Sequence, residues 1–251
     1  MRRAWWGGLV LLLAVTVLLA LMCGATSIAP VDVWHALLGD GTNAATVAIV
    51  RAVRLPRVVL AMLVGAALGM SGSVLQGTLR NALAEPYLLG VSGGAAVGAV
   101  LAVAAGTSAP PLIALAAFVG ALAAVSGVLA IAHAAGGVGD TRLLLMSGVV
   151  MGAFANAAIM VVMATAAPDV TRNALWWMMG SVAAAGWRDV VVLAAMLVAV
   201  GAALVHRARW LDILALGADT AESLGVDASR AGRVFFVLAS LLAAATVAVA
   251  G

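Results

Sequence analysis

Seven apolar runs, at residues 5–22, 58–79, 88–105, 112–134, 143–167, 189–206 and 231–250, decide what this chain can become. Each approaches the ~20 residues that an α-helix needs to cross the hydrocarbon core of a bilayer. Breaks at 107–111, 136–140, 168–173 and 186–189 carry the Gly, Pro, Asn and Asp that punctuate such runs. Only 9% of the residues are charged, against about a quarter in a soluble domain. The expectation is an all-α, polytopic transmembrane helical bundle, one membrane domain over 1–251.

All 13 basic residues are arginine, and lysine is absent. A Walker A phosphate loop needs its lysine, so this chain does not hydrolyse ATP by that device. A Schiff-base lysine is excluded as well. The arginines sit between apolar runs rather than on a water-facing surface, which argues against nucleic acid. The single cysteine, Cys23, forbids an intrachain disulfide. Its context, Leu21-Met22-Cys23-Gly24, is like a lipoprotein cleavage site, but Met is too bulky there, so a buried thiol in the first span is expected. Arg2 and Arg3 precede a run too long for a signal peptide, with Trp5 and Trp6 at the interface, so a retained span with a cytoplasmic N-terminus is expected. That places Arg2, Arg3, Arg80, Arg142, Arg207, Arg209, Arg230 and Arg233 inside and Arg51, Arg54, Arg57, Arg172 and Arg188 outside, as the positive-inside rule prefers.

Residues 54–98 read as a helical hairpin. An Arg-x-Pro-Arg turn leads into an apolar run holding Gly65 and Gly69. A polar hinge, Arg80 to Pro86, follows, and a second run holds Gly94 and Gly98. Both glycine pairs have the small-xxx-small spacing that lets helix backbones approach in lipid. Arg54-Leu55-Pro56-Arg57, Gly72 through Gln76, and Asn81-x-Leu83-Ala84-Glu85-Pro86-x-Leu88-Leu89-Gly90-Val91-Ser92-x-Gly94-Ala95 closely resemble the motif of FecCD-type permeases, the membrane subunits of ABC importers for iron-siderophore complexes, haem and cobalamin. Ala82 departs from the family's usual Pro after the Asn. The family fold has ten spans, so the resemblance implies about seven of ten here and a permease domain cut short at Gly251. It further implies a bacterial inner-membrane location and alternating access. Expected partners are a second permease (a homodimer), two ABC ATPase subunits and a periplasmic or lipid-anchored substrate-binding protein. This chain would bind no cofactor, and ATP would act on the partner.

Three outer cations, Arg51, Arg54 and Arg57, stand three apart, on one side of a helix if the segment is helical. They suit either an acidic partner or lipid headgroups reached by snorkelling. The resemblance favours docking and implies Arg54 and Arg57 for it. The polar segment 206–230 reads as two short amphipathic helices broken at Gly217 and Gly225, with Asp219 as N-cap of an Asp-Thr-Ala-Glu capping box. It suits a protein partner or an interfacial helix touching lipid. Leu214, Ala215, Leu216, Gly217, Glu222, Leu224 and Gly225 resemble the family's coupling loop to the ATPase.

No carboxylate lies at the centre of a run, against a proton-coupled carrier. Gln76, Asn81, Ser147, Met151, Asn156 and Met160 are the candidate pathway residues, with back-bonded serines and ordinary methionine packing as the plainer reading. Trp176 to Ser181 reads as an interfacial belt and turn. Two enzyme readings remain. Gly69-Met70-Ser71-Gly72 with Ala132-His133 mimics an intramembrane Ser-His protease, which requires the two side chains within hydrogen-bond reach. His35, His133 and His206 lie too far apart for a zinc motif. The same apolar runs would also suit a permease of another ABC class or a non-transporting fragment.

Overall fold

The computed structural model describes residues 2–40, 43–136 and 141–251. Twelve α-helices carry these residues, and no strand occurs among them. They are α1 (Arg2–Met22), α2 (Pro30–Leu38), α3 (Ala44–Ala48), α4 (Leu55–Leu79), α5 (Val91–Ala104), α6 (Pro110–Ala134), α7 (Thr141–Thr165), α8 (Pro168–Met178), α9 (Trp187–His206), α10 (Ala208–Ala215), α11 (Ala218–Ser223) and α12 (Ala228–Ala250). Among the described residues, six helical segments are long and apolar enough to cross a membrane. The expected run at 88–105 instead makes a four-residue 3₁₀ turn, Pro86–Leu89, and the shorter α5. Gly90, in the left-handed region at φ 74°, separates the two.

The expected turn at Arg54 to Arg57 is not a turn. Helix runs unbroken from Ala44 to Leu79, a 36-residue segment, with a π-helical stretch at Ile49–Arg54. Pro56 has no N–H to give to Ala52, and Leu55 donates five residues back, to Val50 O. The wider turn absorbs the lost bond without breaking the helix. Residues 168–173, expected as a break, are likewise helical, because Pro168 serves as a first-turn proline of α8. Asp219 is not an N-cap. Gly217 at φ 120° holds that position, and Asp219 lies in the first turn of α11, where a carboxylate suits the helix dipole.

The chain forms two compact units, Met1–Leu63 with Val182–Val192 and Val64–Ser181 with Leu193–Gly251. The core of the first gathers Leu21, Ile28, Val33, Ala36 and Val50. Most of α1 is exposed and apolar, from Trp5 and Trp6 to Leu19, a surface fit for hydrocarbon rather than water. Cys23, just past its end, is exposed rather than buried because α1 stops one residue earlier.

The second unit is built on α5 against α6. A Cβ on Gly98 would lie 2.1 Å from Ala116 O, and one on Gly120 would lie 2.3 Å from Gly94 O. Only glycine permits this approach. Gly65 and Gly69 have nothing within 4 Å of an added Cβ, so that second small-residue pair packs on nothing. Phe235, Phe236, Leu242 and Ala243 of α12, all fully buried, extend the core.

Candidate functional site

The hinge after α4 is a Schellman-type end. Arg80 takes the left-handed position at φ 48°, the only non-glycine to do so among the described residues, and Asn81 N donates to Gln76 O at 3.2 Å. The Asn81 side chain then accepts from Leu83 N at 3.0 Å, and Ala84 N donates to Asn81 O. The extended residue Glu85 leads into Pro86–Leu89. This local bonding fixes where Tyr87 and Gly90 emerge.

Both line a cavity of about 520 Å³ within the second unit. Its other walls come from Ser92, Gly93 and Ala96 of α5, Gly152, Asn156 and Ile159 of α7, Trp177 and Met178 of α8, and Val247 of α12. The glycines keep the walls thin, and Asn156, Tyr87 and Ser92 bring polar side chains to a mostly apolar surface. Burial first, and the Glu85 carboxylate second, push the Tyr87 hydroxyl above its ordinary pKa of 10.0. Of the six candidate pathway residues, Asn156 alone lines this cavity. Met151 packs behind the wall, its side chain against Gly90 and Gly127. Gln76 is exposed on the last turn of α4, Asn81 shapes the hinge, Ser147 is buried in α7 and Met160 is exposed. Nothing in the sequence assigns Tyr87, Gly93 or Trp177 to a cavity; Trp177 reads there as part of an interfacial belt. Trp177 reaches the cavity only because α8 is a helix.

In the segment after α9, Leu214 and Ala221 turn into the core of the second unit. Leu211 packs on α4, where a Cβ at Gly77 would meet it at 3.1 Å, and a Cβ at Gly217 would lie 3.3 Å from Nη1 of Arg80. The opposite side is open. Leu216 and Leu224 are 68% and 58% exposed, and Ala215, Glu222 and Gly225 are exposed beside them. The segment is therefore anchored along one edge and presents two free leucines flanking a carboxylate.

The three arginines diverge. Arg51 is exposed and gives Nη2 to Leu37 O at 2.6 Å. Arg54 is buried, and Arg57 is half-buried with its Nε unpartnered. Trp187 Nε1 donates to Arg51 O at 3.1 Å, and Arg188 beside it is exposed.

The Ser-His dyad is not made. Ser71 is buried and gives its hydroxyl to Ala239 O at 2.8 Å, while His133 is exposed at the end of α6. No group of three or more His, Cys, Asp or Glu able to hold a metal occurs among the described residues. Ser73 and Ser126 bond back to their own helices, at Gly69 O and Leu122 O.

A model of the FecCD transport family matches residues 12–251. A cobalamin import system permease protein of Halobacterium salinarum is 40% identical over 203 residues, covering 81% of this chain and 54% of the relative. A hemin transport system permease protein of Yersinia pestis is 35% identical over 254 residues, covering 99% and 74%. An Fe(3+) dicitrate transport system permease protein of Escherichia coli is 32% identical over 251 residues, covering 98% and 75%. The chain thus spans about half the length of the first and three quarters of the others. A solved structure described as an inward-facing metal-chelate type ABC transporter has the same fold, with a TM-score of 0.86 at 24% identity over 100% of this chain and 77% of the other.

Proposed function

This chain belongs to the FecCD transport family, and on that premise we propose that it is the membrane-spanning permease of an ABC importer for an iron chelate, haem or cobalamin. One observation carries the reading beyond family membership. The segment from Leu214 to Gly225 is locked on its inner edge by Leu214 and Ala221, while Leu216, Glu222 and Leu224 face outward with nothing on them. Exposed leucines around a carboxylate suit a groove on a protein, where apolar burial gives affinity and the charge fixes register. Leu211 and Arg80 meet the last turn of α4 and its hinge, so a push on the segment reaches the chain that leads to Tyr87 and Gly90.

In this reading the working unit is two permeases, two ATPases and one substrate-binding protein, in the bacterial cytoplasmic membrane with the N-terminus inside. The ATPase holds the nucleotide. A soluble, acidic-faced binding protein docks at the segment Arg51 to Arg57 and delivers cargo towards the cavity of Asn156, Tyr87 and Trp177. ATP binding drives the change of access only through different affinities for the two states. The cargo itself is not chemically altered.

The test is co-purification of the full-length protein from its native membrane. A Walker-type ATPase should be recovered with the wild type, and Leu216→Asp should abolish that recovery while leaving the permease in the membrane. Intact recovery with Leu216→Asp, or no ATPase with the wild type, would overturn the reading.

A further inference from the structure

The cavity around Tyr87, Asn156 and Trp177 has a floor and a rim of different chemistry. Ala96 of α5, Ile159 of α7 and Val247 of α12 line it and are buried, which makes the floor apolar. Tyr87, Asn156 and Met178 line it and are exposed, so they stand at its mouth. Its polar side chains are a phenol, a carboxamide and, at Ser92, a hydroxyl, with the indole N–H of Trp177 as a further donor. None of the described residues that line it is charged. The charge that acts on the lining is the Glu85 carboxylate beside Tyr87, and it is negative.

Room for a ligand opens on α7. Gly152, Asn156 and Ile159 follow at spacings of four and three, on one face of the helix. A Cβ at Gly152 would meet nothing within 4 Å, so this part of the wall gives on free space. Gly90 and Gly93 are instead backed by Met151 and Ala155.

Such a lining discriminates by charge. An anion that leaves water needs a cation or several donors in return. The floor offers neither, and Glu85 repels it. A neutral amide both gives and accepts hydrogen bonds, and the carboxamide and hydroxyls of the rim can pair with it. No His, Cys, Asp or Glu is among the described lining residues, so a metal that enters keeps the ligands it arrives with.

We propose that this cavity takes a chelate without net negative charge, apolar on one face and fringed with amide-type groups, and that it refuses chelates whose metal is held by carboxylates or catecholates. The proposal rests on the importer reading and narrows its cargo. Asn156 is the residue that sets the preference, because its uncharged carboxamide stands at the mouth.

The test is equilibrium dialysis of the full-length protein, purified in detergent with the partners it retains. The probes are cyanocobalamin, an uncharged chelate fringed with amides, and ferric dicitrate, an anionic one. The wild type should hold cyanocobalamin more tightly by about tenfold or more, the effect of one polar group left unpaired. Gly152→Leu, whose side chain enters the free space, should weaken cyanocobalamin by a similar factor. Asn156→Arg should weaken cyanocobalamin severalfold and strengthen ferric dicitrate. Both changes lie in the cavity wall, so they tie retention to this chain rather than to a bound partner. If Gly152→Leu disturbs the fold, Asn156→Arg, at an exposed position, decides alone. Equal or tighter retention of ferric dicitrate by the wild type, no retention of cyanocobalamin, or an Asn156→Arg protein with the wild-type preference overturns the proposal. Recovery of a Walker-type ATPase is scored on the same preparation. An ATPase-bound permease that prefers ferric dicitrate would remove this proposal and leave the importer reading standing, whereas loss of the ATPase strikes the importer reading itself.

Discussion

In the unit Met1–Leu63 with Val182–Val192, guanidinium groups reach carbonyl oxygens past glycines. In the unit Val64–Ser181 with Leu193–Gly251, the tight packing is between the bare backbones of α5 and α6 at Gly94, Gly98 and Gly120. Both depend on glycine, yet the glycines do different work. Gly24 makes room for the far end of a flexible side chain, and Gly98 makes room for a main chain that cannot move. The same missing Cβ should therefore be worth different amounts in the two places. The lesson concerns lipid as solvent. Apolar side chains gain nothing by leaving hydrocarbon for one another, so a membrane bundle is tightened by close packing and by satisfying polar groups.

The sharpest way to break the contrast is Gly98→Ala. Its methyl would stand 2.1 Å from Ala116 O, and separating α5 from α6 should cost about 3 kcal/mol or more. Thermal unfolding of the full-length protein in detergent should show the largest loss of any single methyl added to this chain. Gly65→Ala is the control. Its methyl meets nothing within 4 Å, and the better helix propensity should leave stability unchanged or raise it by up to about 1 kcal/mol. Equal losses at both positions would sink the idea that close packing at α5 and α6 holds this unit. Asp227→Ala asks how far polar capping also matters in the second unit. The Asp227 carboxylate accepts from Arg230 N at 2.8 Å at the start of α12, and its loss should cost about 1 kcal/mol in the same unfolding measurement.

These glycines also show where sequence reading stops. Spacing identifies both Gly65/Gly69 and Gly94/Gly98, because period four on a helix is visible in one dimension. Only the second pair has a partner helix, and which helix faces which is a property of the fold. The arginines teach the same thing. Their number and spacing are legible, but the ends of α1 and α2 that absorb two of them are not adjacent in sequence, 28 to 33 residues separating Arg54 from its acceptors, the carbonyls of Thr26 and Leu21. The helical character of residues 44–54 escapes the sequence because Pro56 usually signals a break, and a π-helical turn removes the conflict. The segment after α9 is the most legible part, since its two glycine breaks and its alternation of buried and exposed leucines are local. Asn156 stands out as a lone polar residue in an apolar run, whereas Tyr87 and Trp177 join it only through packing.

Ser71→Ala tests a polar contact inside the bundle. The hydroxyl bridges α4 to Ala239 O on α12 while its own surroundings are fully buried. Such interhelical bonds average about 0.6 kcal/mol in membranes, so unfolding should shift slightly and cargo uptake should persist. Complete loss of activity would return Ser71 to a catalytic role, which its bond to a carbonyl and the exposure of His133 argue against.

The smallest expected effect lies at the hinge. Tyr87 is the only tyrosine of the chain, so absorbance at the phenolate band titrates one group. Its pKa is raised above 10.0, by burial more than by Glu85. A folded pKa above the unfolded one means that the unfolded chain gives up its proton first. The stabilising preference for the neutral phenol is whole below about pH 10 and is lost as the pH climbs through the folded value. Tyr87 is about two-fifths exposed, so the accompanying change in stability is small, and the spectroscopic midpoint is the useful readout. It should lie above that of free tyrosine, and Glu85→Gln should lower it only in part, because the larger cause remains. A full return to the free value in Glu85→Gln would mean that charge, not burial in the cavity wall, governs the group. Tyr87 would then belong to an open, wet hinge rather than to the lining around Asn156.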